Sequence, residues 1–194
     1  MPHQVLFIQG GGAEGTHDEW DNKLVDDLGR ELGPDFEIRY PLMPHEADPR
    51  YSPWKAALMP EFGKLDDGAI LVGHSIGGTI LVNTLVEEPP DLELGGVVLI
   101  AAPFVGEGGW TSEDIKPMSH VGRRLPGHTP IYAYHGSKDE TVPFEHVDLF
   151  AAAIPQAVVR RLTGRDHQLN NDMSEVAADI RRLAHGSASP TPLE

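Results

Sequence analysis

Residues 69–82 read Ala69-Ile70-Leu71-Val72-Gly73-His74-Ser75-Ile76-Gly77-Gly78-Thr79-Ile80-Leu81-Val82. An apolar run ends in glycine, a serine stands at the tip of a turn, and a helical stretch follows. This is the pattern of a nucleophile elbow, a strand-to-helix turn that exposes the serine hydroxyl. Such a turn forces the serine into a strained backbone, and small neighbours are needed where strand and helix cross. The hydroxyl then sits at a helix N-terminus, where free N–H groups favour developing negative charge. In a chain with 21 glycines the pentapeptide alone is a modest signal. The flanking elements and two partners downstream raise it.

Outward from the elbow, apolar runs and amphipathic stretches alternate, which predicts a parallel sheet covered on both faces. Strands are expected at Val5–Gln9, Phe36–Tyr40, Ala69–Gly73, Val97–Ala101, Ile131–His135 and Val158–Leu162. A helix is expected over Asp18–Leu32, with Trp20, Leu24, Leu28 and Leu32 forming a buried stripe. Pro41–Pro53 reads as a loop, and Trp54, Leu58, Phe62 and Leu65 mark the next helix. Helices follow from Ser75 to about Glu88, closed by Pro89-Pro90, and over Phe144–Ile154. Met173, Val176, Ala177, Ile180, Leu183 and Ala184 form the face of a last one. The segment Pro103–Pro130 is long, rich in Gly and Pro, and weakly periodic, which suggests a lid. The expectation is one domain over residues 1–185 and a disordered tail over 186–194.

Composition narrows the functional classes. The formal charge of −15, from 15 basic and 30 acidic residues, counts against nucleic-acid binding, which needs a basic face. The acidity reads as solubility, and the sharper alternative is attraction of a cationic substrate. Cysteine is absent, so thiol catalysis, disulfides and cysteine metal sites are out. No run is long and apolar enough to span a membrane, and no signal peptide is read. A cytoplasmic location fits these features. No histidine pair has a metal-ligand spacing with a nearby carboxylate, so neither metal nor cofactor is expected.

A serine hydroxyl needs a base to take its proton and a third group to orient that base. The strand Ile131–His135 runs into Gly136-Ser137-Lys138-Asp139-Glu140-Thr141-Val142-Pro143, and Val158–Leu162 runs into Thr163-Gly164-Arg165-Asp166-His167. The carboxyl ends of parallel strands share one edge of the sheet. Ser75, Asp139 and His167 are therefore expected to converge there, in the order Ser, Asp, His. Asp139 also suits a helix cap, and Asp166 and Glu140 are rival acids. Among the other histidines, His74 reads as packing beside the strand and His135 as supporting the site. His17, His45, His120, His128 and His146 read as surface or loop residues.

With these motifs in place, the chain resembles the α/β-hydrolases, and in particular the small retinoblastoma-binding-protein-like serine hydrolases. The resemblance runs from Val5 to about Leu183. It rests on Gly-His-Ser-Ile-Gly-Gly at 73–78, His-Gly-Ser-Lys-Asp-Glu-Thr-Val-Pro at 135–143 and Gly-Arg-Asp-His at 164–167. It implies a three-layer α/β/α sandwich on a six-stranded, mainly parallel sheet with a minimal cap. It also implies Ser75 as nucleophile, Asp139 as orienter and His167 as base. An oxyanion hole would take the Ile76 N–H and a second donor from Gln9-Gly10-Gly11-Gly12. Gly11 aligns with that donor and Gly12 is the alternative; Gln9 stands where relatives often carry His. Gly12, His74, Phe104 and Trp110 are candidate pocket residues, with Met118 and His120 in the same lid segment. The expected reaction is cleavage of a small or medium ester, thioester or amide through an acyl-serine. Alternatives are acyl transfer with the same residues, or a protein-interaction module retaining the fold. The sequence indicates no protein partner.

Overall fold

The computed structural model describes residues 1–117, 121–125 and 129–186. Six strands form one sheet: β1 (His3–Ile8), β2 (Phe36–Arg39), β3 (Ile70–His74), β4 (Gly96–Ile100), β5 (Ile131–Gly136) and β6 (Val158–Leu162). Their order is β2-β1-β3-β4-β5-β6, and every neighbouring pair is parallel. The order reverses between β1 and β3, and in open parallel sheets the crevice beside such a reversal holds the ligand. The first strand begins two residues before the apolar run.

Five helices cover the sheet: α1 (Asn22–Leu32), α2 (Tyr51–Phe62), α3 (Ser75–Glu87), α4 (His146–Ala153) and α5 (Ser174–Ala184). Alternate strand residues feed two cores. Leu6, Ile8, Leu71, Val97 and Leu99 pack with α2, α3 and α4. Val5, Phe7, Ile70, Val72, Val98 and Ile100 pack with α1 and α5. These strands are buried on both faces, which is why they read as continuous apolar runs rather than alternating ones.

Three differences from the sequence reading matter. The helix expected over Asp18–Leu32 opens with a π-helical turn over Thr16–Asp21 before α1 begins. The wider turn rotates the register, so Trp20 points outward at 53% exposure while Asp21 is fully buried. Leu24, Leu28 and Leu32 keep the buried stripe without Trp20. Second, α2 starts at Tyr51, inside the expected loop. Pro53 is tolerated there because first-turn N–H groups have no helical partner anyway.

Third, the segment after β4 is packed rather than loose in its described parts. Phe104, Val105, Ile115, Val121 and Leu125 are buried in the core beside α4. Met118, His120 and His128 lie outside the described residues, as does the tail beyond Gly186. No helix among the described residues is long and apolar enough to cross a membrane.

Candidate active site

The elbow is built by close packing. Ser75 has φ 51°, a left-handed conformation that non-glycine residues rarely adopt. A Cβ on Gly77 would collide with the Gln9 carbonyl, and one on Gly73 would lie 2.5 Å from the Gly78 Cα. Glycine is therefore required where β1, β3 and α3 meet. Ser75 caps β3 at the edge of a cavity of about 350 Å³. Its walls include Gly11, Gly12, Trp20, His74, Thr141 and His167.

Asp139 and His167 come together from the ends of β5 and β6. His167 Nδ1 lies 2.8 Å from Asp139 Oδ2. The other carboxylate oxygen, Oδ1, accepts the N–H groups of Thr141 and Val142, each at 2.8 Å. Asp139 thus caps the turn and orients the histidine at once. His135 stands behind it, with Nε2 3.1 Å from Asp139 Oδ2 and 3.0 Å from the Val142 carbonyl. Burial alone would push the Asp139 carboxyl up. The hydrogen bonds from His135 and His167, the His167 charge and the Val142 amide outweigh it and hold the carboxyl well below 3.8.

His167 shifts the other way from a paired histidine on a surface. Burial lowers its pKa below 6.5, Asp139 pulls against that shift, and the charge on nearby His74 adds to it. The imidazole is consequently neutral at pH 7, with Nδ1 committed to Asp139. Nε2 has no hydrogen-bond partner among the described residues, nor does Ser75 Oγ. The turn after the histidine is left-handed over Leu169, Asn170 and Asn171. Buried Leu169 anchors this turn, and Asp166 Oδ1 accepts the Gln168 and Asn170 N–H groups. That engagement directs Asp166 away from His167. Glu140 is exposed.

The glycine loop after β1 separates the two oxyanion candidates. The Gly12 N–H donates to the Glu46 carbonyl at 2.7 Å, and the Gly10 N–H donates to Asp21 Oδ2 at 2.6 Å. The Gly11 N–H has no such partner among the described residues. The Ile76 N–H is in the first turn of α3, where helical partners are lacking. Glu46 shapes the loop further. Its carboxylate accepts the N–H groups of Gly15 and His17 and the Gln9 amide. Gln9 is buried and spans from Glu46 to the Met43 N–H as a strut behind the loop.

Two of the four expected pocket residues are not among those lining this cavity. Phe104 and Trp110 do not line the Ser75 cavity. Phe104 is buried edge-on against Phe150, and Trp110 packs edge-on against His146. Their segment packs against α4. His146 is buried rather than superficial, and its Nδ1 accepts the Phe104 N–H. Gly12 and His74 do border the cavity. Trp20, Asp21 and Glu46 were not foreseen as site residues. The Trp20 wall also borders a second cavity of about 620 Å³, shared with Thr141, His167 and Gln168 and lined further by Lys138, Glu140 and Asp166. Among the described residues no cluster of three His, Asp or Glu side chains is arranged for a metal ion.

Solved structures share this architecture across nearly the whole chain. The ydeN gene product from B. subtilis matches with a TM-score of 0.70 and 22% identity, covering 93% of this chain and 98% of that one. XC6422 from Xanthomonas campestris, described as an a/b serine hydrolase without lid, matches at 0.66 and 17%, covering 98% and 84%. The meta-cleavage product hydrolase CumD from Pseudomonas fluorescens IP01 matches at 0.71 and 13%, covering 96% and 92%. No protein-family model and no curated sequence relative matches the chain. The fold is the α/β-hydrolase fold.

Proposed function

We propose that this protein is a serine hydrolase that cleaves a small or medium ester, thioester or amide through an acyl-serine intermediate. The observation that carries the reading is one juxtaposition. A left-handed serine, an Asp-oriented neutral histidine and an unengaged glycine N–H border a single cavity. Structural neighbours described as esterases, lipases and hydrolases support the same class.

In the acylation step Ser75 Oγ attacks the substrate carbonyl carbon while His167 Nε2 takes the hydroxyl proton. Asp139 holds the tautomer and stabilises the imidazolium that forms. The tetrahedral oxyanion is met by the N–H groups of Gly11 and Ile76. Collapse expels the leaving group, which receives the proton from His167. Water then repeats the sequence on the acyl-serine, and the acid is released with Ser75 restored. The cavity volume of about 350 Å³ favours small or medium acyl groups. The adjoining polar cavity provides room for a leaving group.

Intact mass after incubation with a fluorophosphonate probe tests the reading. The expected result is one adduct on the wild type, none on Ser75→Ala and strongly slowed labelling on His167→Ala. A folded wild type that takes no adduct overturns it and favours an interaction module on a hydrolase fold. Product analysis with an added alcohol or amine separates hydrolysis from acyl transfer.

A further inference from the structure

A second histidine–carboxylate pair lies directly behind Ser75. His74 Nδ1 is 2.8 Å from Asp21 Oδ2, and the two side chains are 1% and 0% exposed. The other ring nitrogen, Nε2, is 3.0 Å from the backbone carbonyl of His167. A carbonyl only accepts, so His74 Nε2 carries a proton. Asp21 already accepts the Gly10 N–H on Oδ2, and the Gln168 amide on Oδ1 at 3.1 Å. With Oδ2 accepting from Gly10 and Oδ1 from Gln168, an ionised Asp21 satisfies each donor around it, and His74 Nδ1 then carries a proton as well. An imidazole protonated on both nitrogens is a cation, and this one has its ring centroid 4.9 Å from that of His167.

We propose that His74 is a positioning residue: a buried imidazolium, held by Asp21, that ties the oxyanion loop at Gly10 to the base loop at His167 and sets a fixed positive charge behind the His167 ring. The part concerning His167 rests on the hydrolase reading above. Each link runs through the backbone of a loop that carries a reacting group. Asp21 grips the residue before the Gly11 donor, and His74 grips the carbonyl of the base itself. Burial on its own would drive His74 toward the neutral form, but the charge and hydrogen bond of Asp21 and the His167 carbonyl reverse that direction. Burial likewise opposes the charge on Asp21, and His74, Gly10 and Gln168 restore it.

The groups that face this pair decide the sign of its effect. Asp139 faces His167 from the loop after β5, with His135 behind it. Asp21 and His74 face it from the turn before α1 and from the end of β3. Tyr40, after β2, lies in the field of Asp21 and has its hydroxyl pKa raised, so it stays neutral. Asp139 and Asp21 favour a protonated His167, and the His74 charge opposes it. Loss of that charge therefore makes His167 a stronger base that must be deprotonated at higher pH.

Two measurements test this. The ring nitrogen resonances of the wild type at about pH 7.5 should show one buried imidazolium, absent in His74→Gln, because an unperturbed histidine is neutral at that pH. A neutral tautomer for His74 overturns the proposal. The pH dependence of fluorophosphonate labelling is then compared between wild type, His74→Gln and Asp21→Asn. The acid limb should move up by about one unit in His74→Gln. It should move less in Asp21→Asn, where carboxylate and imidazolium charge go together. An unmoved limb in folded His74→Gln overturns the proposal. The double variant His74→Gln/Asp21→Asn, which leaves no unpaired buried charge, serves for the resonance assignment if the single variant does not fold; both charges go together in it, so a neutral wild-type His74 ring is then the result that overturns the proposal. Absence of labelling in the wild type overturns the hydrolase reading instead, and the ring resonances still decide the state of His74.

Discussion

Two histidine–aspartate pairs stand side by side at one edge of the sheet, each with Nδ1 2.8 Å from a carboxylate oxygen. They share the bond and differ in everything around it. The His167 side chain keeps 17% exposure, and its second nitrogen has no hydrogen-bond partner among the described residues. The His74 ring is sealed, and its second nitrogen meets a carbonyl. One histidine is displaced toward the neutral form and the other toward the cation. A carboxylate partner therefore does not by itself make a catalytic base. In the proposed mechanism the vacant nitrogen and the neighbouring charge do.

The comparison breaks first at the pair proposed to act on the substrate. Ser75→Ala and His167→Ala are expected to lose about 10⁴-fold or more in kcat, since the members of such a unit act together. Asp139→Asn should lose about 10⁴-fold, because the wrong tautomer is presented to the serine. Steady-state hydrolysis of a chromogenic acetate ester measures all three, and near-wild-type turnover in any of them removes the triad assignment. Gly11→Ala should come next, at about 10²-fold in kcat, the scale of one misdirected oxyanion donor. Its new Cβ would lie 2.9 Å from the Glu46 carbonyl and push the loop out of place.

Asp21→Asn should lose about 10-fold, a positioning effect smaller than any change to the reacting groups. If its loss equals that of Asp139→Asn, the two pairs are not distinct in role. The wild-type acid limb should fall below pH 6.5, because the folded His167 binds its proton less readily than a free histidine. A limb at or above that value would falsify the assigned direction.

Stability against pH gives the finest separation. A raised folded pKa adds stability that is complete below 6.5 and is lost as pH climbs through the folded value, which is the case for His74. A lowered one makes stability rise as pH climbs through the folded value toward 6.5, which is the case for His167. Urea midpoints of wild type and His74→Gln, taken upward from about pH 6.5, should show a decline in the first that is absent from the second.

Which of these features the sequence reveals depends on the range of the contact that creates them. The sheet was legible because strands buried on both faces must be continuously apolar. The shared edge of Ser75, Asp139 and His167 was legible because each follows a strand whose direction fixes that edge. Trp20 was misread and Asp21 passed over because a helical repeat was extended through a π turn, and one wider turn exchanges which of two neighbours is buried. Glu46 lay in an expected loop. Its role depends on three donors from residues 9, 15 and 17, which no local pattern connects. Phe104 and Trp110 were placed by proximity to β4, whereas α4 claims their segment.

Local pattern in the chain was enough for the alternation of strand and helix, for the left-handed serine turn and for the proposal of an aspartate and a histidine downstream of it. Burial pattern and turn chemistry are local, and glycine at 73, 77 and 78 leaves no alternative packing. Long-range contact leaves the Gly11 N–H, rather than that of Gly12, without an acceptor among the described residues, because the Glu46 carbonyl reaches the latter across the fold. Only the tertiary structure decided that His74 and His167, both beside an aspartate, take opposite charge states. Charge state follows from what surrounds each ring nitrogen, and those surroundings are assembled from segments more than fifty residues apart.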